Sequence, residues 1–181
     1  MRAYDRWWAI AGGWAIDLFL GRHTRPHADV DIATLRPDQR ELRRLLTGAD
    51  VRRAQSGALI PWHPADVLEL PTHEIHATWP SGDALEFLLN DLDVGKNAWV
   101  FRRQAAVRRP IERVRRVTAG VPYLGPEIVL LYKAKAMQPK DNADLILVLP
   151  HLGDDERHWL ASAIAATHGT NHPWLATLAR G

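Results

Sequence analysis

Cysteine is missing from all 181 residues. Its absence excludes disulfides, thiolate nucleophiles, iron–sulfur clusters and zinc sites built on sulfur, and a cytoplasmic location is expected. Also missing is any stretch of ~18 apolar residues, so no membrane-spanning helix is expected. Arg2 and Arg6 precede the apolar run Trp7 to Ile16, and Ala9-Ile10-Ala11 has small-x-small form. That triplet falls inside the run and Asp17 follows at once, so no secretory signal is read there. A charge excess of one sign is lacking too: 23 Lys+Arg against 21 Asp+Glu leave +2. This is too little to draw the whole molecule to nucleic acid. Internal repeats and low-complexity tracts are not found.

What is present suffices for a core. Hydrophobic residues make up 46% and charged ones 24%, and a chain of this length buries roughly 70% of its unfolded surface. One domain, or one with a small appendage, is expected. Trp7 to Ala11 reads as a short buried strand, followed by Gly12-Gly13 and a helical run Trp14 to Leu20 that stops at Gly21. Asp29-Val30-Asp31-Ile32 alternates as a half-buried strand does. Arg36 to Leu46 is helix-like, with Pro37 in its first turn. Between Asp50 and Val117 the pattern breaks into short strands, clearest at Val67–Leu70, Glu74–Trp79, Ala84–Leu89 and Trp99–Arg103. Beyond Pro122 it turns helical: Pro126–Met137, Asp141–Leu149, Asp154–Ala166 and Pro173–Arg180. Strands with two helices followed by a helical tail predict an α+β protein, divided into residues 1–121 and a helical C-terminal region 122–181.

The stretch that carries chemistry is Gly12 to Asp31. Asp29 and Asp31 are two apart on a strand, so both carboxylates project from one face. Unpaired, each raises the cost of ionising the other, and a bound cation removes that cost. Hard oxygen ligands beside phosphates suit magnesium. Gly12-Gly13 joins a strand to a helix start, where bare amides and the helix dipole hold phosphate oxygens. Arg22, Arg25 and His27 lie between the two elements.

The run from Trp8 to Asp17, then Gly21-Arg22, then Thr24 to Ile32 with its Asp29-Val30-Asp31, resembles the nucleotidyltransferase signature of antibiotic-modifying enzymes. The likeness is to aminoglycoside 2″-adenylyltransferases and lincosamide nucleotidyltransferases, in the DNA polymerase beta superfamily. Downstream, Lys133-Ala134-Lys135 with Pro139-Lys140-Asp141 and Asp144 resembles the lysine-then-K-D-x-x-D helices of such relatives. The resemblance implies a mixed β-sheet flanked by helices. It implies an enzyme that moves a nucleoside monophosphate, AMP from ATP, to a hydroxyl of a small molecule, an aminoglycoside-like or lincosamide-like antibiotic. Two Mg²⁺ ions would be bridged by Asp29 and Asp31. Gly12 and Gly13 would cradle the triphosphate, with Arg25, His27, Lys133 and Lys140 around it. A third carboxylate, metal ligand or general base, is expected from a neighbouring strand; Glu86 is the first choice, with Asp91 and Asp93 behind it. The family has an aspartate there, so a glutamate is a departure.

Other signals compete. In His73-Glu74-Ile75-His76 the imidazoles are three apart, which places them on opposite faces of a strand and argues against a metal site. Asp17, Asp141 and Asp144 read as structural. Seven arginines lie between Arg102 and Arg116; they read either as a solvated strand face or as a dock for an anionic acceptor such as RNA. Nine acidic and ten basic residues lie between Asp50 and Val117, a poor match for a polycationic acceptor. Alternatives to small-molecule transfer are nucleotidyl transfer to RNA or protein, as in toxin-like relatives, and nucleotide binding without turnover. The oligomeric state is left as monomer or homodimer.

Overall fold

The computed structural model describes Met1 and residues 3–180; Arg2, named above for the apolar run, lies outside the described residues. In chain order the elements are β1 (Trp8–Ile10), α1 (Gly12–Leu20), β2 (Asp31–Leu35), α2 (Gln39–Leu45), β3 (Asp50–Gln55), β4 (Ala58–Pro61), β5 (Glu74–Thr78) and β6 (Ala84–Asp93). They continue with β7 (Ala98–Val100), β8 (Arg108–Pro110), β9 (Arg115–Thr118), β10 (Val121–Leu124), α3 (Pro126–Lys133), α4 (Pro139–Val148), α5 (Asp154–His168) and α6 (Pro173–Leu178). The class is α+β, as the sequence predicts. Among the described residues no helix is long and apolar enough to cross a membrane.

The strands form one mixed sheet in the order β4-β3-β5-β6-β2-β1-β10-β9, with β7 and β8 branching from β6. Two pairings are parallel, β2 with β6 and β1 with β10. The strand β10 spans the boundary expected near residue 121 and completes the sheet beside β1. On one face, Ile32, Val51, Ile75, Phe87 and Leu89 pack with Leu42, Leu46, Trp62 and Leu68. On the other, Ala9, Ala33 and Leu124 meet Ile16, Ile128, Leu131, Leu145, Leu160 and Ile164 of the helices. These helices cover the β1–β10 side and leave the β5–β6 side of that face polar.

The expected strand at Val67–Leu70 does not form. Gln39 holds this segment instead: its Oε1 accepts from the Leu68 N–H at 2.6 Å, and its Nε2 donates to the Leu68 carbonyl at 3.2 Å. A buried amide side chain thus satisfies backbone groups that a strand partner would otherwise meet. The strand expected over Trp99–Arg103 stops at Val100, and the chain turns through Arg102 and Arg103 before Val107.

Three arginines of the run fasten the sheet side to the helices, and two tie strands to one another. Arg109, 4% exposed, lies 3.1 Å from Glu127 and 3.3 Å from Asp155, with its guanidinium over Trp159. Arg113 reaches Asp155 at 3.1 Å, Arg116 pairs with Glu156, and Arg108 pairs with Asp93. Arg115 donates to the Trp8 carbonyl at 3.4 Å and lies over Trp7.

Candidate active site

The turn from β1 into α1 is fitted to a carboxylate. The Ala11 N–H donates to the Asp31 carbonyl at 2.8 Å. Gly12 then takes φ +59°, a left-handed conformation that favours glycine. A Cβ at that position would overlap Asp31 Oδ2, so glycine is required twice over.

Pairing across three strands sets the next layer. Asp31 lies opposite Glu86 in the parallel β2–β6 pair, and Glu86 lies opposite His76 in the antiparallel β5–β6 pair. Glu74, two residues before His76, faces the same way. His76 joins the two glutamates: its Nε2 is 2.7 Å from Glu74 Oε1, and its Nδ1 is 3.4 Å from Glu86 Oε1. Asp29 is exposed just before β2 begins. Burial pushes the Asp31 carboxyl up to about 6, with Asp29, Glu86 and Glu74 adding to the effect. Burial also raises Glu86, against the pull of His76 and with the push of Asp29 and Glu74. Like charges gathered this way favour a cation between them, and hard carboxylate oxygens fit a divalent ion such as Mg²⁺. The runners-up for the third carboxylate are engaged elsewhere: Asp91 with Arg36 at 2.5 Å, and Asp93 with Arg108.

Behind Gly13 the loop is held by a chain of charges. A Cβ on Gly13 would overlap His27 and come within 2.9 Å of Arg25 Nη2. His27 Nε2 lies 2.7 Å from Asp17 Oδ2, and its Nδ1 lies 3.0 Å from Arg25 Nη1. Because the guanidinium only donates, Nδ1 accepts and Nε2 carries the proton. His23 completes a cluster with Asp17 and His27, but that tautomer commits Nε2 to a hydrogen bond rather than to a metal. Burial alone would raise the Asp17 carboxyl; hydrogen bonds from Thr24 and His27 outweigh it and leave Asp17 below its usual range. Arg25 reaches Asp144 at 3.2 Å, and Lys133 bridges Asp144 at 3.0 Å and Asp141 at 2.9 Å. Asp17, Asp141 and Asp144 therefore brace the loop against α3 and α4.

A cavity of about 330 Å³ opens between the sheet and α3–α4. Gly12, Asp31, Lys133 and Lys140 line it, together with Leu88, Asn90 and Tyr132. Gly13, Arg25 and His27 stand behind the loop, Asp29 lies at the edge, and Glu86 is Asp31's neighbour in register. Sequence reasoning passed over Glu74 and His76 as a unit with Glu86. The E-x-H alternation marked them, but the partner strand did not show. It also merged Arg102 and Arg103, which line the cavity, with the arginines that fasten the helices.

Comparison with known proteins bears on both fold and site. Residues 1–67, which contain the β1–α1 turn and both aspartates, match the family described as aminoglycoside-2″-adenylyltransferase. No curated protein sequence matches the chain. Among solved structures, the antibiotic-resistance factor ANT(2″)-Ia in solution superposes with a TM-score of 0.56 at 21% identity, over 87% of this chain and 80% of the other. The same enzyme in complex with adenylyl-2″-tobramycin gives 0.53 at 19% identity, over 87% of each chain. The lincosamide antibiotic adenylyltransferase LnuA, with lincomycin bound, gives 0.52 at 15% identity, over 78% of this chain and 85% of the other. The chain thus has the fold of the antibiotic nucleotidyltransferases, and its N-terminal third carries the match to the aminoglycoside-2″-adenylyltransferase family.

Proposed function

We propose that the protein is a nucleotidyltransferase that moves a nucleoside monophosphate, AMP from ATP, to a hydroxyl of an amine-bearing antibiotic of the aminoglycoside or lincosamide kind. The observation that carries this reading is the register: Asp31 stands beside Glu86 across β2 and β6, with Gly12 fitted against Asp31 at the cavity wall. The reaction joins the acceptor oxygen to the α-phosphorus and breaks the bond to the bridging oxygen of the pyrophosphate leaving group. Glu86 accepts the hydroxyl proton, held in place through His76 and Glu74. Amides of Gly12 and Gly13 at the start of α1 meet phosphate oxygens. Lys140 faces the cavity and offsets their charge, and Lys133, on the same wall, is held by Asp141 and Asp144. Asp29, Asp31 and Glu86 would hold Mg²⁺, which when bound stabilises the attacking and leaving oxygens.

The unpaired charges around the cavity are of both signs, with Arg102, Arg103, Lys135 and Lys140 in its lining. The amine-bearing acceptor therefore rests on the likeness to antibiotic adenylyltransferases rather than on charge. The arginines from Arg108 to Arg116 are engaged inside the fold. Asp29, Glu74 and Glu86 are left as a carboxylate group beside the cavity.

The test is transfer of label from α-³²P nucleoside triphosphates with Mg²⁺, offered tobramycin, lincomycin and bulk RNA, with Asp29→Asn/Asp31→Asn protein beside the wild type. Label on either antibiotic, lost in the double variant, is expected. Label on RNA alone, or on no acceptor, overturns the reading. In the same assay Glu86→Gln should cut turnover around 10²-fold or more while nucleotide affinity changes little.

A further inference from the structure

Of the seven arginines between Arg102 and Arg116, five are tied to carboxylates or to a backbone carbonyl of the sheet or the helices. The remaining two, adjacent in sequence, turn into the cavity. Both guanidiniums lie 5.5 Å from the centre of the Tyr132 ring. Arg103 also donates to the Tyr132 carbonyl at 2.9 Å. Among the described residues, no carboxylate lies within salt-bridge distance of either one. Tyr132 is fixed in turn, since its hydroxyl donates to Asn90 Oδ1 at 3.0 Å and Trp99 Nε1 donates to the same oxygen at 2.9 Å. Two rigid, fork-shaped cations are therefore set on an aromatic platform with donors to spare.

Their surroundings sharpen the point. Burial lowers both guanidiniums from their usual range, as expected for charges partly withdrawn from water without a counter-ion. Arg25, His27 and Lys133, by contrast, already face Asp144, Asp17 and Asp141. Asn90 lies four residues along β6 from Glu86, roughly 13 Å of strand. The arginine pair shares the cavity with Asp31, and Glu74 acts on the charge of Arg102, but no carboxylate among the described residues forms an ion pair with either guanidinium. Lys135 and Lys140, both exposed, line the same space.

We propose that Arg102 and Arg103, seated on Tyr132, bind a phosphate-like oxyanion in this cavity. Two sources share that chemistry: the phosphate tail of the nucleotide, and an anionic group carried by the acceptor. The assignment of either source rests on the transferase reading above; binding of the oxyanion itself does not.

Calorimetric titration with inorganic pyrophosphate, in EDTA and without acceptor, tests the proposal. Arg102→Gln should weaken pyrophosphate binding about 10- to 100-fold, as loss of a charged hydrogen bond implies. Arg102→Lys should retain part of the affinity, and Arg113→Gln, outside the cavity, should retain all of it. Arg102 is tied to no carboxylate or backbone carbonyl among the described residues, so its replacement should leave the melting curve in place even if Arg103→Gln unfolds. Titration with ATP and AMP separates the sources. If Arg102→Gln weakens ATP along with pyrophosphate but spares AMP, the oxyanion is the nucleotide's tail. If ATP is unaffected while pyrophosphate binding is lost, the oxyanion belongs to the acceptor. Pyrophosphate affinity equal in wild type and Arg102→Gln overturns the proposal. Because the titration needs no turnover, it stands or falls apart from label transfer: an inactive protein can still pass it, and an active one can fail it.

Discussion

Asp31 is the residue on which the site's electrostatics converge. It is half-buried, beside Glu86, with a carboxyl pushed up to about 6. A carboxyl whose pKa rises on folding is most favourable when protonated. Its contribution is therefore complete below about pH 4 and is lost as pH rises through about 6. At pH 7.5 the ionised group costs the apo fold about 1–3 kcal/mol. Asp31→Asn should recover that much in urea unfolding at pH 7.5 and almost nothing at pH 4; equal effects at both pH values would contradict the assignment. Adding Mg²⁺ at pH 7.5 should stabilise the wild type and narrow its gap to the variant, since an ion that binds only the folded state adds to stability.

At the scale of elements, the β1–α1 turn is the most constrained piece of backbone at the site. Gly12→Ala would place a Cβ in left-handed backbone, at about 1–2 kcal/mol, and drive it into the Asp31 carboxylate. A lowered melting temperature together with loss of nucleotidyl transfer is the expected result; wild-type activity in the Gly12→Ala protein would mean that the turn is looser than it looks. This junction was legible in the sequence because everything it needs is local: strand, two glycines, helix, and a D-x-D pair within twenty residues. Glu86 was half legible, as a mid-strand acid, while its place opposite Asp31 depends on a parallel pairing across more than fifty residues. Glu74 and His76 carried the alternation of a strand face, but only the β5–β6 register brings them to Glu86. The strand read at Val67–Leu70 failed for a related reason, since a single distant glutamine supplies the hydrogen bonds that local pattern credits to a neighbouring strand. Arg102 and Arg103 looked like the start of a stripe; the chain turns after Val100 and separates them from the rest.

For the whole molecule, pairing matters more than charge totals. Nine acids against ten bases in the middle of the chain suggested no sign of preference, yet the fold sorts them. Arg109, Arg113 and Arg116 sit at the sheet–helix junction, Glu74 and Glu86 gather around His76, and Arg102 and Arg103 turn into the cavity. The buried Arg109–Glu127 pair is the centre of that junction, with Glu127 1% exposed and raised by burial. Removing one partner strands the other, so Arg109→Met should cost about 3–5 kcal/mol in denaturant unfolding. Adding Glu127→Leu to it should restore much of the loss, and strictly additive costs would argue that the two do not act as a pair. The same long-range construction bears on synthesis. β1, near the start of the chain, is flanked by β2 on one side and by β10 on the other. Until residues 121–124 leave the ribosome, β1 keeps a bare edge open to wrong partners. The loop that holds Gly13 gains its brace only when Lys133 and Asp144 follow. A nascent chain can thus carry Asp29, Asp31 and Glu86 in the open and still lack the last strand and helices that close the cavity beside them.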